Sequence, residues 1–276
     1  MNTAGRYVLL GFSFATFTCG LRAQQPLKPQ TLNDFECYVQ SAEARMTARK
    51  TFLVAESDSA MNDQLVRGKK IVLAAQSGAN PRKITGAMLY DWIGTVFIPG
   101  ATLDRMIRML QDYDHRAQYF SEVVASSKLL CRTGEGHFGY SMRLKEPAVI
   151  DSDNDVVWEK VDARHWRCRS YSTKVREEKE KGYLLRLYTY WRVAEADKGV
   201  YVEGEAIELS GEFGSMTRAL GSLFMGISPE KSLRRSLNSM REAMLKPGAE
   251  FALPPAGLPQ CGEAYKPAAC TTTTQR

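Results

Sequence analysis

Apolar and polar residues alternate along much of the second half of the chain, as they do in an antiparallel sheet with one buried face. The clearest segment is 137–145, where Phe138, Tyr140, Met142 and Leu144 share one side and polar residues occupy the other. Turn-forming residues separate it from its neighbours, and one such turn is predicted over 151–154. Further strands are predicted at 123–132, 156–163, 165–175, 183–194 and 199–209.

Before these strands, the segment 91–114 predicts a strand, a break and a helix in immediate succession. Residues 92–98 are β-branched or aromatic, Pro99-Gly100 ends the run, and Thr102 is a suitable N-cap. Apolar residues then recur at helical spacing, which predicts a helix over 102–114. Upstream, the pattern predicts a helix at 34–50 and strands at 70–75 and 84–98.

A last helix is predicted to begin after Ser228, because Ser is a favoured N-cap and Pro229 suits the first helical position. Its apolar residues are spaced four, three and four apart and form one stripe. They are Leu233, Leu237, Met240 and Met244.

This order of elements predicts an α+β fold with one antiparallel sheet. A single sheet that buries a long helix on one side must curve around it. The curvature leaves a space between sheet and helix, and such spaces commonly bind apolar ligands. We therefore expect a mostly apolar cavity of about 300–1,000 Å³.

Three segments resemble the START-like, or helix-grip, superfamily, which includes polyketide cyclases and coenzyme-Q-binding proteins. They are the strand–Pro99-Gly100-Ala101-Thr102–helix unit, the strands around 190–192 and 199–203, and the helix from Pro229. The resemblance covers about 90–245. It implies a curved antiparallel sheet gripping the C-terminal helix, a hydrophobic ligand, and an exported bacterial member of the superfamily.

The chain divides into four predicted parts. Residues 1–23 have the order of regions that is typical of a signal peptide, with Arg6 before an apolar stretch at 7–17 and Ala23 at a suitable cleavage site. Residues 24–89 form an N-terminal extension expected to pack on the domain, 90–246 form the START-like domain, and 247–276 form a Pro-rich tail expected to be disordered. Localisation outside the cytoplasm, periplasmic or secreted, follows from the leader.

Composition excludes some classes of partner. The net charge of +6 is small, and the basic residues are spread along the chain, which argues against a nucleic-acid-binding protein. No segment is apolar for the 20 or so residues that a membrane span needs. After loss of Cys19, an odd number of cysteines remains, and Cys261 and Cys270 are expected to pair within the tail.

Two motif-like stretches predict ordinary turns. The G-x-G-x-x-G match at 134–139 lies between two predicted strands, whereas a dinucleotide site needs a helix after it. The alternating Asp residues at 151–155 lack the Gly and Glu that a calcium loop requires. No cofactor and no metal are expected.

The candidate ligand site follows from which strand faces point inward. On 185–193, Thr189 and Trp191 belong to the more apolar face, and by resemblance Tyr201, Glu203 and Glu205 face inward on the last strand. Arg169 and Tyr171 are candidates to neutralise and hydrogen-bond the two carboxylates. The predicted ligand-binding residues are Tyr140, Met142, Arg169, Tyr171, Thr189, Trp191, Glu203 and Glu205.

The sequence thus predicts an exported domain that binds a small hydrophobic molecule, lipid or isoprenoid-like, with no covalent chemistry. One alternative is a cyclase-like enzyme that uses Glu203 or Glu205 as general base. Another is a structural or interaction domain with a filled core and no ligand. No catalytic residue is assigned, because the chain has no nucleophile elbow and no metal-binding histidine pair.

Overall fold

The structure, a computed structural model, describes residues 27–66, 70–76, 78–145, 148–179, 182–212 and 228–271. The predicted signal peptide at 1–23 lies outside these residues. Among them, no helix is both long enough and apolar enough to cross a bilayer.

The described residues form five α-helices and nine strands. The helices are α1 (Pro29–Ala48), α2 (Ser59–Val66), α3 (Leu103–Gln111), α4 (Arg116–Tyr119) and α5 (Pro229–Leu245). The strands are β1 (Val72–Ala75), β2 (Arg82–Ile84), β3 (Ala87–Pro99), β4 (Val124–Thr133), β5 (His137–Leu144), β6 (Ile150–Lys160), β7 (His165–Glu177), β8 (Arg186–Ala196) and β9 (Gly199–Gly211).

All nine strands belong to one antiparallel sheet. Its order is β1-β3-β9-β8-β7-β6-β5-β4, and β2 also pairs with β3. Consecutive strands are neighbours from β4 to β9, whereas the chain crosses the whole sheet between β3 and β4 through α3 and α4. That crossing leaves these two helices on the side where the core forms.

One side of the sheet, here called the inner face, carries the main core together with α3 and α5. Leu237 of α5 is fully buried, and α5 packs on β3 and β9. Gly94 of β3 allows this close approach, because a Cβ there would lie 2.8 Å from Leu237 and 2.3 Å from Leu73. The predicted α+β helix-grip architecture is confirmed.

The opposite side, here called the outer face, is covered by α1. Phe35, Val39 and Ala42 of α1 are fully buried against residues of β3, β7, β8 and β9. The ring of Phe35 meets that of Tyr188 edge-on, with centroids 5.1 Å apart. Strands β1 and β2 also join the sheet, so the predicted boundary at 89/90 falls inside β3.

The predicted disordered tail is wrong for residues 247–271. This segment has no helix or strand, but it runs across the domain and bonds to it: the Pro259 carbonyl accepts from the Arg132 N–H at 3.0 Å. The disulfide expected within the tail is also wrong, because Cys261 bonds to Cys131 and Cys270 to Cys37. The short spacing of Cys261 and Cys270 suggested that they bond to each other, whereas their actual partners lie 130 and 233 residues away along the chain.

The predicted turn at 151–154 is wrong as well, since it lies inside β6. The Asp residues there alternate with Ser152 and Asn154, which are buried. Asn154 donates to the Ser152 hydroxyl at 3.0 Å, so these polar side chains satisfy each other on the inner face. The sequence pattern was misleading because the start of β6 buries polar side chains, and a run of polar residues is more typical of a turn.

Leu237→Asp tests whether α5 is docked as described. It places a charge without a partner where Leu237 is fully buried, so the free energy of unfolding should fall by at least about 3 kcal/mol. Leu245→Asp makes the same change on the same helix at a half-exposed position and should cost little. Chemical denaturation measures both, and equal stabilities of the two variants would contradict the docking.

Candidate functional site

A cavity of about 170 Å³ lies on the inner face, between the sheet and the helices α3, α4 and α5. Its walls are mostly apolar or aromatic, with contributions from Met240 of α5 and Leu110 of α3. It is smaller than the 300–1,000 Å³ expected from the sequence. The volume is smaller than expected because large side chains such as Trp158 and Trp191 fill part of the space between the sheet and the helices.

Four predicted ligand-binding residues lie at this wall: Tyr140 and Met142 of β5 and Thr189 and Trp191 of β8. The Trp191 ring lies over the backbone of Gly204 on the neighbouring strand, where a Cβ would lie 2.3 Å from the ring. The missing side chain at position 204 therefore lets the indole lie flat against the sheet.

The other four predicted residues are on the wrong side of the sheet. Arg169, Tyr171, Glu203 and Glu205 lie on the outer face, where α1 covers the strands. Arg169 faces Tyr190, and Tyr190 faces Glu205, so the register does bring them into one row. The expectation that they meet was right, but the expectation that they meet in the cavity was wrong.

The error arose because β9 is buried on both faces. Nearly every residue of this strand is inaccessible, so alternation could not show which parity faces the cavity. In the structure, Val200 and Val202 join the main core, while Ile207 and Leu209 pack on α1. The extension that makes both faces internal lies outside the range that the resemblance covers.

Glu203 and Glu205 serve to fasten α1 and the segment after it. Glu203 accepts from Arg49 at 2.5 Å and from the Val54 N–H at 2.8 Å. Arg45 bonds to both Glu205 and Asp91. Burial raises the pKa of Glu205, and the nearby charge of Asp91 raises it further, whereas Arg45 opposes both effects.

A second pocket, of about 250 Å³, lies beside this cluster on the outer face. Arg169 lines it with its Nε buried and without an acceptor, and its guanidinium lies 5.8 Å from the Tyr171 ring centroid. The Tyr171 hydroxyl donates to Glu43 of α1 rather than to Glu203 or Glu205. These two residues therefore belong to the interface with α1.

Sequence reasoning missed Glu208 of β9, the carboxylate that does line the cavity. It lies opposite Leu187 on one side and Tyr90 on the other, and it forms no hydrogen bond or ion pair within the described structure. Burial raises its pKa to about 7. Its parity, which includes Val200 and Val202, was the signal that could have identified it.

Arg116 of α4 was also missed, and it is the one cationic residue among the described cavity walls. Its guanidinium carbon lies 4.6 Å from the Tyr113 ring centroid and 4.9 Å from that of Tyr140. One N–H donates to the Leu110 carbonyl at 3.1 Å, whereas the buried Nε has no acceptor. Its helix is a single turn, too short for a periodic pattern to reveal it.

The cavity wall also contains Cys168, the one free cysteine among the described residues. Burial raises the pKa of its thiol to about 12, and Arg116 only partly opposes this. A thiol with so high a pKa is not a nucleophile at neutral pH. No group of three potential metal-binding side chains occurs in the parts of the chain that the structure describes.

The pKa of Glu208 makes a prediction about stability. The group ionises near 4.5 when unfolded and near 7 when folded, so the stabilisation that its neutral form allows is complete below pH 4.5 and lost as the pH rises through 7. Replacing it by neutral Gln should raise the stability relative to wild type by roughly 3 kcal/mol more at pH 8 than at pH 4.

Denaturant unfolding at both pH values measures this difference. Glu250→Gln changes an exposed carboxylate in the tail and serves as the control. If Glu208→Gln shows the same pH dependence as wild type, the pKa of Glu208 is not raised in the folded protein.

Comparisons with known proteins address the fold alone. No protein-family model matches this sequence, and no curated protein matches it. Among solved structures, it is similar to a STAR-related lipid transfer protein from Xanthomonas axonopodis, with 17% identity, a TM-score of 0.46, and coverage of 64% of this chain and 99% of that chain.

It is also similar to an aromatase/cyclase from a Streptomyces species, with 13% identity and a TM-score of 0.41. That match covers 56% of this chain and 92% of the other. It is similar as well to a START superfamily protein from Mycobacterium smegmatis, with 9% identity and a TM-score of 0.38. That match covers 57% of this chain and 98% of the other. At such identities and scores, no ligand or activity passes from these proteins to this one. Its own sheet order and the position of α5 define a START-like helix-grip fold.

Proposed function

We propose that this protein binds a small hydrophobic molecule, lipid or isoprenoid-like, in the inner-face cavity. The observation that carries the proposal is the cavity itself, a space of about 170 Å³ walled by apolar and aromatic side chains between sheet and C-terminal helix. Filling it with an apolar molecule removes nonpolar surface from water on both sides of the contact.

A purely structural role is less consistent with the cavity wall. Arg116 and Glu208 both line a mostly apolar space, and neither has an ion-pair partner within the described structure, although burying an unpaired charge is unfavourable. A domain under selection for stability alone would gain by replacing either residue with an apolar one. Their presence supports a wall shaped for a ligand.

One observation favours a second candidate, a cyclase-like enzyme. A carboxylate with a pKa of about 7 in an apolar cavity suits a general base at neutral pH, and Glu208 is such a group. The cavity gives no support to the version of this alternative that used Glu203 or Glu205, because those carboxylates bond to arginines on the outer face.

Trp191→Ala tests the binding proposal. The indole covers the sheet on one side and faces the cavity on the other, so its loss should weaken binding of a fluorescent long-chain alcohol by about tenfold, equivalent to about 1.4 kcal/mol. Trp166→Ala removes an indole that packs in the core without lining the cavity, so it should reduce stability and leave affinity unchanged.

Fluorescence titration and thermal unfolding measure the two effects. An absence of saturable binding by wild type across several lipid classes would leave only the structural role. Recovery of the probe after binding separates the two functional candidates: an unchanged probe supports binding, and conversion by wild type but not by Glu208→Gln supports catalysis.

We also propose that the protein acts after export. The leader-like residues 1–23 support this, as do two disulfides, which persist in oxidising compartments. Expressed in a Gram-negative host, the periplasmic product should begin near Gln24 and contain the Cys37–Cys270 and Cys131–Cys261 links. Intact-mass analysis and non-reducing peptide mapping measure both, and a retained Met1 would contradict the export proposal.

A further inference from the structure

Arg116 and Glu208, the two charged residues of the described cavity wall, differ in what surrounds them. Arg116 is stacked on the rings of Tyr113 and Tyr140 and also lies 5.8 Å from the Phe120 centroid. Glu208 has no such contacts and is opposite Leu187 and Tyr90. A ligand that enters this cavity therefore meets a fixed cation in one place and a carboxylate in another.

The two charges lie at different ends of the cavity. Arg116 lies over β5, the strand of Tyr140, whereas Glu208 is on β9, and three strands lie between them. Burial is the one cause that raises the pKa of Glu208, and Arg116 makes no contribution that opposes it. The two groups therefore do not neutralise each other, and each is left to act on the ligand.

We infer that the ligand carries an anionic oxygen head group, a carboxylate or a phosphate monoester, which Arg116 binds at the β5 end of the cavity. The inference rests on the proposed function and specifies its ligand class. The aromatic rings hold the guanidinium plane in place, so little rotamer freedom remains to be lost when an anion binds. Only one N–H of the guanidinium has an acceptor in the described structure, which leaves donors for the anion.

Glu208 fixes the direction in which such a ligand lies. An acid bound with its head group near Glu208 would face a carboxylate in an apolar space, whereas the reverse orientation pairs it with Arg116. The apolar chain then lies along β6, β7 and β8, past Met142 and Trp191. The wall thus distinguishes an acid from the alcohol of equal length.

The experiment compares cis-parinaric acid with the corresponding alcohol, both fluorescent, on the full mature chain. Wild type should bind the acid at least tenfold more tightly, since a charge-assisted hydrogen bond in an apolar site gives a difference of this order. Arg116→Gln should remove the preference without abolishing binding of the alcohol, and Arg116→Lys should retain part of it. Displacement of the acid by a lysophosphatidic acid, compared with displacement by an unlabelled fatty acid, distinguishes the two sources of the anion.

Arg169→Gln is the matched control, because Arg169 also lies over a ring and has no ion pair within the described residues, but it is on the outer face. It should leave the preference for the acid intact. Equal binding of acid and alcohol by wild type, retention of the preference in Arg116→Gln, or its loss in Arg169→Gln would each overturn the inference. Alcohol binding by wild type would still stand in those cases, whereas failure of every probe to bind would overturn the proposed function itself. If Arg116→Gln does not fold, the wild-type comparison and Arg116→Lys still decide the question.

Discussion

The structure depends on one constraint: two neighbouring strands of a single sheet, β3 and β9, are buried on both faces. Strands β3 and β9 are covered by α5 on the inner face and by α1 on the outer face. A sheet of this kind needs two unrelated covers, and they come from opposite ends of the chain. The extension before the domain is therefore part of its core, since the fully buried Phe35 and Val39 belong to it.

The two covers are attached by different physical means. The inner cover relies on shape, with Gly94 of β3 admitting Leu233 and Leu237 of α5 to the strand. The outer cover relies on charge as well as apolar contact, because Arg45 and Arg49 reach the carboxylates of β3 and β9. On the outer face, Glu203 and Glu205 are paired with Arg49 and Arg45, whereas Arg116 and Glu208 on the inner face have no ion-pair partner within the described structure. The paired charges attach α1 to the sheet, whereas the unpaired charges line the cavity proposed above as the ligand site.

Sequence patterns identified the elements well and the faces unevenly. The alternation in β5 and the apolar side of β8 located Tyr140, Met142, Thr189 and Trp191 correctly, because one face of each strand is clearly more apolar than the other. The same reasoning failed for β9, where both faces are buried and carboxylates occur on each. Arg116 was beyond reach, since a four-residue helix shows no periodicity. Long-range partners such as Cys37 and Cys270 were equally hidden, because spacing along the chain carries no information about contacts 233 residues apart.

The two disulfides make the C-terminal tail a covalent link between β4 and α1. From Cys131 on β4, the edge strand of the sheet, the chain runs by way of Cys261 to Cys270, and from there the bond reaches Cys37 in α1. The helix on the outer face is thus tied to the far edge of the sheet through a segment with no helix or strand of its own. Because Cys270 follows Cys37 by 233 residues, the bond that secures α1 can form only after all the strands and α5 have been made. The order of synthesis therefore leaves the outer cover held by non-covalent contacts alone until Cys270 has been added.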